Sequence, residues 1–318
     1  VKILLLALQF ILPPPLKPWL LRTFAGARVG RHVQIGWFAA LSGRSIVLGD
    51  RAAIRPCTLI VLGGAIAIGR QSEVSSMTLI YGSSNLSIGD HSYIGPQSLL
   101  NVDAPVAIGS MSALGPRTML FTHGSWFPAT KGYWTRLAGV TLGDRVWCAA
   151  GVFLHPGVTI GDDCFVNARS VVTQEIDSGS VAEGHPAQVV YPMERIRRRM
   201  TPTAVERTVE SIVANFVQMV VEGEWGCAVV RGDREWSFAY RGRNYTIVVV
   251  GATSCALAPS PGRRTIAAVA TAGWTPPAGV LALDFTEGRT SFDLDDVHTA
   301  LRVFALRYYG ERFDEVLS

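Results

Sequence analysis

Four glycines, each preceded by Leu or Ile, stand 20 residues apart: Leu48-Gly49, Ile68-Gly69, Ile88-Gly89 and Ile108-Gly109. With Gly at 32 of 318 positions, chance would fill four preset places with glycine only about once in ten thousand trials. Inside each period apolar residues recur every six positions, as Leu48, Ile54, Ile60; Ile68, Val74, Ile80; Ile88, Ile94, Leu100; and Ile108, Leu114, Leu120. The pattern then resumes as Leu142, Cys148, Leu154, Ile160, Val166 and Val172, now in an unbroken 18-residue period. A six-residue step is neither the repeat of a helix face nor the alternation of a simple strand. It fits a hexapeptide β-helix, a solenoid in which each hexad gives one short strand and one turn and three hexads close a triangular coil.

The first apolar residue of each hexad is expected to point into the prism and stack on its counterparts in coils about 4.8 Å away. The small residue after it, often Gly or Asp, is expected to make the bend, where φ values are costly for bulky side chains. The 20-residue coils should carry two extra residues at one corner. No coil buries its own face, so the ends need caps. The period leaves handedness open.

Composition fits a long continuous core, with 48% hydrophobic and 17% charged residues. A net charge of +4 makes no case for nucleic acid. Cys57, Cys148, Cys164, Cys227 and Cys255 are scattered without C-x-x-C spacing. They read as reduced thiols of a cytoplasmic protein, Cys148 on an inward position. His32 and His91 follow turn positions and are expected in solvent.

The chain divides at changes of pattern. Residues 1–28 are apolar except for scattered basic and polar residues, broken by Pro13-Pro14-Pro15 and followed by Leu16-Lys17-Pro18-Trp19-Leu20-Leu21-Arg22-Thr23-Phe24. The first run is too short to span a bilayer and lacks a signal-peptide cleavage site. It reads either as a cap on the first coil or as a monotopic contact with the inner face of a membrane. Residues 29–190 hold the repeat. Residues 191–222 read as a basic and helical linker, with Val209, Ile212, Val213, Phe216, Val217 and Val220 on one stripe. Residues 223–318 read as a small α+β domain, with short strands separated by Arg231-Gly232-Asp233 and Arg241-Gly242-Arg243-Asn244 and a closing helix near 294–309. In that helix His298 reads as a surface or packing residue.

Between Leu120 and Leu142 the hexads stop, and loop 123–140 carries Trp126, Phe127, Tyr133 and Trp134 with Lys131 and Arg136. A solenoid interrupted by such a loop has a functional excursion there, or a lid over a surface groove. Thr122-His123 before the loop and Val140-Thr141-Leu142-Gly143-Asp144-Arg145-Val146-Trp147 after it resemble the hexapeptide-repeat acyltransferases. So do His155-Pro156-Gly157-Val158-Thr159-Ile160-Gly161-Asp162, Ala168-Arg169-Ser170-Val171-Val172-Thr173 and Glu183-Gly184-His185-Pro186-Ala187. The branch resembled is that of the galactoside and maltose O-acetyltransferases and the sugar or capsule O-acetyltransferases beside them. The resemblance covers about 28–190. It implies a mainly β fold, a left-handed parallel β-helix here followed by the α+β domain, a homotrimer, and acetyl-CoA or another short acyl-CoA bound between adjacent prisms with no metal required.

The same resemblance assigns the family's catalytic histidine to His123. An imidazole is suited to take a hydroxyl proton near neutrality as the oxygen attacks a thioester, within a ternary complex. Asp103 falls where relatives grip a sugar hydroxyl, with turn capping as its plainer role. Trp126, Tyr133 and Trp134 suit stacking on a pyranose. Trp147, Ala150, Ala168, Thr173, Gln174 and Pro186 fall on the family's CoA slot, His155 and His185 beside it as secondary candidates. The Asn that relatives hold one coil before the histidine has no clear match, the stretch reading Gly95-Pro96-Gln97. Gln174 and Gln188 replace basic positions, which leaves Arg195, Arg197, Arg198 or Arg199 for the 3′-phosphate.

The leading function is O-acylation of a sugar or polysaccharide hydroxyl. The alternatives are N-acylation of an amino sugar or xenobiotic, and a non-catalytic trimeric scaffold. A γ-carbonic anhydrase shares the prism but needs two zinc histidines close in sequence, and no histidine here lies within ten residues of another.

Overall fold

From Arg28 onward the chain winds into three sheets of seven, nine and seven strands, one on each face of a prism, parallel throughout except for the antiparallel last strand, Ala187–Pro192, of the nine-stranded sheet. Strand pairing follows the period: Ile68, Ile88 and Ile108 stack in one column, then Leu142 and Ile160. No hexad residue from Leu48 to Val172 is more than 4% exposed. The computed structural model describes residues 2–125, 127–252, 257, 262–291 and 295–315. The chain falls into two compact units, Val1–Arg198 and Arg199–Ser318. The first is a β-helix of the left-handed hexapeptide-repeat kind.

The two extra residues of the long coils lie between the third face and the first. Eight residues separate Ile60 from Ile68 there, against six between Leu154 and Ile160. Excursion 123–140 leaves at the same corner, after Met119–Phe121 and before Val140–Leu142.

The glycines after the hexad residues do not make the bends. Left-handed φ falls two residues later, on Arg51 (58°), Gln71 (53°), His91 (55°) and Met111 (55°). Glycine is required for closeness instead. A Cβ on Gly49 would stand 2.6 Å from Arg70 N, and one on Gly89 2.5 Å from Ser110 N. The corners stack backbone on backbone, leaving no room for a methyl group. His91 is buried at such a corner between two coils, contrary to its expected exposure, whereas His32 in the terminal coil is exposed.

Two helices, α1 (Lys2–Ile11) and α2 (Lys17–Phe24), cap the first coil. Leu21 enters the prism core. The fully buried Gln9 uses its amide on both backbone groups of Leu41, donating to the carbonyl and accepting from the N–H at 3.0 Å each. That contact covers part of the open edge of Ala40–Ser42, an edge otherwise ready to pair with another strand. Lys17, also fully buried, donates to Gly36 O at 2.6 Å and Ala39 O at 3.0 Å.

Burial pulls the Lys17 ammonium down from 10.5 to about 8. Between those values the unfolded chain binds a proton that the folded chain does not, so stability rises with pH across this window. The melting temperature of the wild type should therefore rise between about pH 8 and about pH 10, and that rise should be missing in Lys17→Met. A parallel rise in both proteins would place its origin elsewhere.

Burial pushes the Cys148 thiol up to about 12. Cys57, Cys148, Cys164 and Cys227 are free thiols, and Cys255 lies outside the described residues.

In the second unit, α3 (Pro202–Phe216) is no linker. Thr201 caps its N-terminus, and Val209, Ile212, Val213 and Phe216 enter a core with Phe238, Ile247, Ile266, Leu301 and Phe304. The stripe is buried because the sheet beside it offers an apolar face, so the 191–222 segment divides at Arg198. The seven-stranded sheet runs in chain order from Val229–Arg231 to Asp314–Glu315, with parallel pairing among Arg243–Val250, Arg264–Val269 and Val280–Asp284. The closing helix α4 (Asp296–Tyr309) is capped by Asp295, which also takes hydrogen bonds from Tyr245 (3.0 Å) and Arg264 (2.8 Å). His298 is buried, its Nε2 3.1 Å from Thr290 Oγ1 and 3.3 Å from Ala282 O, as a packing residue.

Candidate active site

The excursion is clipped at its base. His123–Gly124 pairs antiparallel with Arg136–Leu137, and Ala138 N donates to Thr122 O at 2.9 Å. This clip puts His123 at the rim of the third face with its side chain exposed. Asp103 occupies the same wide corner one coil earlier.

A buried hydroxyl organises that corner. Thr122 Oγ1 accepts from Asp103 N (2.8 Å) and Ala104 N (3.1 Å) and lies 3.1 Å from Asn101 O, to which it donates. Asn101 Nδ2 donates to Asp103 Oδ2 (2.9 Å), while the Ser83 N–H and hydroxyl reach Asp103 Oδ1 at 3.1 and 3.3 Å. The Asn101 amide foremost, then Ser83 and the nearby His123, hold the Asp103 carboxyl below the usual carboxylate range. An ionised carboxylate thus stands on the corner one coil before His123.

Thr122→Val keeps the shape of the side chain but leaves two amides without an acceptor. It should cost about 1–3 kcal/mol in urea unfolding, the penalty of buried polar groups left unpaired. A loss of a few tenths would mean that water replaces the hydroxyl.

His155 is half-buried one coil beyond, its ring 4.9 Å from Phe153, which stacks on Phe121 at 5.6 Å. Burial first, then Arg136 and His185, hold His155 below the ordinary imidazole value, so it is neutral at neutral pH. Arg136 reaches from the clip to Gly157 O at 3.5 Å. In the excursion, Phe127, Tyr133 and Trp134 are exposed, and Phe127 stacks on Tyr133 at 4.8 Å. Trp126 lies outside the described residues.

The other residues singled out by sequence fall into two groups on either side of the third face. Trp147 is exposed on the second face against Phe165 (4.7 Å). Ala150 and Ala168 are exposed where the second face turns into the third, with Arg169 N donating to Ala150 O at 2.9 Å. Thr173 and Gln174 leave the third face on the His155 side, where Gln174 donates to Gln188 at 3.5 Å. His185 and Pro186 sit in the exposed turn between Ser180–Gly184 and Ala187–Pro192. Within one chain these groups stand at opposite edges of the third face. Among the described residues, no three His, Cys, Asp or Glu side chains come together as a metal-ligand set.

Sequence reasoning missed Ser83, Asn101, Thr122 and Arg136 as the supports of this site. The 20-residue step carried a signal for one of these contacts, because it places Ser83 directly beneath Asp103.

No family model matches the chain. The galactoside O-acetyltransferase of Escherichia coli is 43% identical over 51 residues, 16% of this chain and 25% of that protein. A putative colanic acid biosynthesis acetyltransferase of Escherichia coli is 37% identical over 67 residues, 21% of this chain and 37% of that one. The chain thus spans between a quarter and two fifths of the length of these curated relatives. Among solved structures, a hexapeptide-repeat-containing acetyltransferase from Vibrio cholerae aligns with a TM-score of 0.37 and 27% identity over 40% of this chain and 73% of that one. In its coil repeat and over these matched stretches of sequence, the chain is similar to the hexapeptide-repeat acyltransferases.

Proposed function

We propose that this chain is a CoA-dependent O-acyltransferase, moving a short acyl group, acetyl foremost, to a hydroxyl of a sugar or polysaccharide. The observation that carries the reading is His123, exposed at the interruption of the solenoid with the Asp103 carboxylate one coil away. The imidazole accepts the hydroxyl proton as the acceptor oxygen attacks the thioester carbonyl. The tetrahedral intermediate expels CoA as thiolate, which takes the proton back from His123, leaving ester and free thiol.

Thr173, Gln174, Pro186 and His185 would line the CoA path on the exit side, with Trp147, Ala150 and Ala168 on the entry side. Those two groups meet if a neighbouring prism packs against the third face. The outward column of that face reads Leu59, Leu79, Leu99, Met119, Phe153 and Val171, whereas the first face presents Val47, Ala67, Ser87, Ala107, Thr141 and Thr159. The larger apolar column supports the third face as the contact of a homotrimer. The exposed Tyr133 and Trp134 offer aromatic faces to the acceptor. Free thiols and the need for acyl-CoA support a cytoplasmic site of action.

The test is release of CoA thiol from acetyl-CoA and longer acyl-CoAs, offered a panel of glycans and matched amino sugars, with product mass. Thiol release that requires a hydroxyl acceptor, with an ester product, is expected. Turnover with amines alone would replace this reading with N-acylation. CoA binding without turnover on any acceptor would favour a scaffold.

A further inference from the structure

The cap is built inside out. In α1, Lys2-Ile3-Leu4-Leu5-Leu6-Ala7-Leu8-Gln9-Phe10-Ile11, the one fully buried side chain among those described is the polar Gln9, bonded to Leu41. Ile3, Leu4 and Ile11 are 84%, 74% and 72% exposed. A helix on a water-facing cap normally shows the reverse distribution. The exposed surface continues into its surroundings: Phe10 packs 5.4 Å from Phe38, which neighbours Trp37 at 6.2 Å, and all three remain open to solvent. On α2, Trp19 and Phe24 make an edge contact at 5.8 Å and are exposed as well. Exposed apolar clusters of this kind mark a surface meant to be covered.

Charge identifies what covers it. Before Asp50 the chain contains Lys2, Lys17, Arg22, Arg28, Arg31 and Arg44 and neither Asp nor Glu. Lys17 is buried, and Arg31 pairs with Asp50 at 3.2 Å. Arg22, Arg28 and Arg44 are exposed, Arg22 bonding only to the carbonyls of Val29 and Gly30 in the contacts resolved for it. A second copy seated on this face would bring basic rim against basic rim without an acid from the segment to pair them. An anionic bilayer surface offers both an apolar layer for the patch and negative charge for the rim. No described helix is long and apolar enough to cross a membrane.

We infer that α1, α2 and the Trp37-Phe38 corner form a monotopic docking face for anionic lipid bilayers, independent of the acyl-transfer reading. The side chains involved are exposed, so their replacement leaves the cap contacts of Gln9, Lys17 and Leu21 intact.

The full chain is floated with phosphatidylcholine vesicles, with or without phosphatidylglycerol, at low and high salt. Binding should require phosphatidylglycerol and weaken with salt. The double variant Leu4→Ser, Ile11→Ser should lower the partition coefficient about tenfold or more. The variant Arg28→Gln, Arg44→Gln should lower it about fivefold per residue, with the melting temperature unchanged. Equal partitioning of wild type and both variants, or failure of the folded wild type to bind phosphatidylglycerol vesicles, overturns the inference. So does a wild-type assembly seen by light scattering that Leu4→Ser, Ile11→Ser reduces in size, since a second copy then owns the face.

Discussion

His123→Ala is expected to lower acyl-CoA-dependent turnover by about 10²–10⁴-fold, the usual contribution of a positioned general base. CoA affinity should stay within a few-fold, because the donor path proposed above uses other residues. The substitution should leave the fold intact, since the side chain is exposed and the clip is held by backbone bonds between 123–124 and 136–137. The pattern matters more than the loss. A base that acts only as the hydroxyl is deprotonated reduces kcat and kcat/KM together, whereas a residue that only binds the acceptor raises KM. A rise in KM with kcat unchanged would move the base elsewhere, and His155, kept neutral by burial with Arg136 and His185 nearby, would be the next group to replace. Hydrolysis of acyl-CoA without acceptor provides a further check, since direct transfer forms no acyl-enzyme and such hydrolysis should be weak in both proteins.

The second large effect concerns the solenoid itself. Gly89→Ala is expected to cost about 3 kcal/mol or more, or to prevent folding, because its methyl would stand 2.5 Å from Ser110 N and 2.7 Å from Gly109 C. Those are backbone atoms fixed by the ladder, so no rotamer change relieves the overlap. Gly132→Ala supplies the contrast. It sits at φ 83° with nothing within 4 Å of an added Cβ, so it should lose only about 1 kcal/mol, the conformational cost alone. Urea unfolding followed by far-UV circular dichroism compares the two. Similar losses would mean that the coils can separate locally, and that close stacking is not what selects glycine there.

The interior of the prism was legible because one spacing governs it. Leu48, Ile54 and Ile60 and their counterparts point inward for a single steric reason, and every later coil repeats it. The cause assigned to the glycines was not legible, since a close approach between residues 20 apart and a bend within one coil demand the same residue type. His91 shows the complement: a bulky side chain takes the left-handed corner that a sequence reader reserves for glycine. In the second unit the strand runs were readable from β-branched and aromatic clusters, but the helix at 202–216 was assigned to a linker because its buried partners lie far along the chain. The inverted face of α1 lay beyond any reading of apolar residues as core. At the site, the broken period singles out the excursion, and the family resemblance, not the spacing, singles out His123 within it. Its supports Asn101 and Thr122 were hidden because buried hydrogen bonding across coils leaves no periodic trace.

The wide corner and the constant 20-residue register have a geometric corollary. Removing residues 65–84 would take one strand from each face and rejoin every column to its own kind, so the solenoid changes length only in whole graduations. From Ala40–Ser42 at the cap to Met119–Phe121 beside His123, the third face climbs through the strands at 59–62, 79–82 and 99–101. At about 4.8 Å per step that is roughly 19 Å. The prism is then a ruler. With its base resting on a bilayer, it would hold the His123 imidazole at a set altitude, and under the proposed function acceptors would be sorted by how far they extend from the lipid surface as well as by their chemistry.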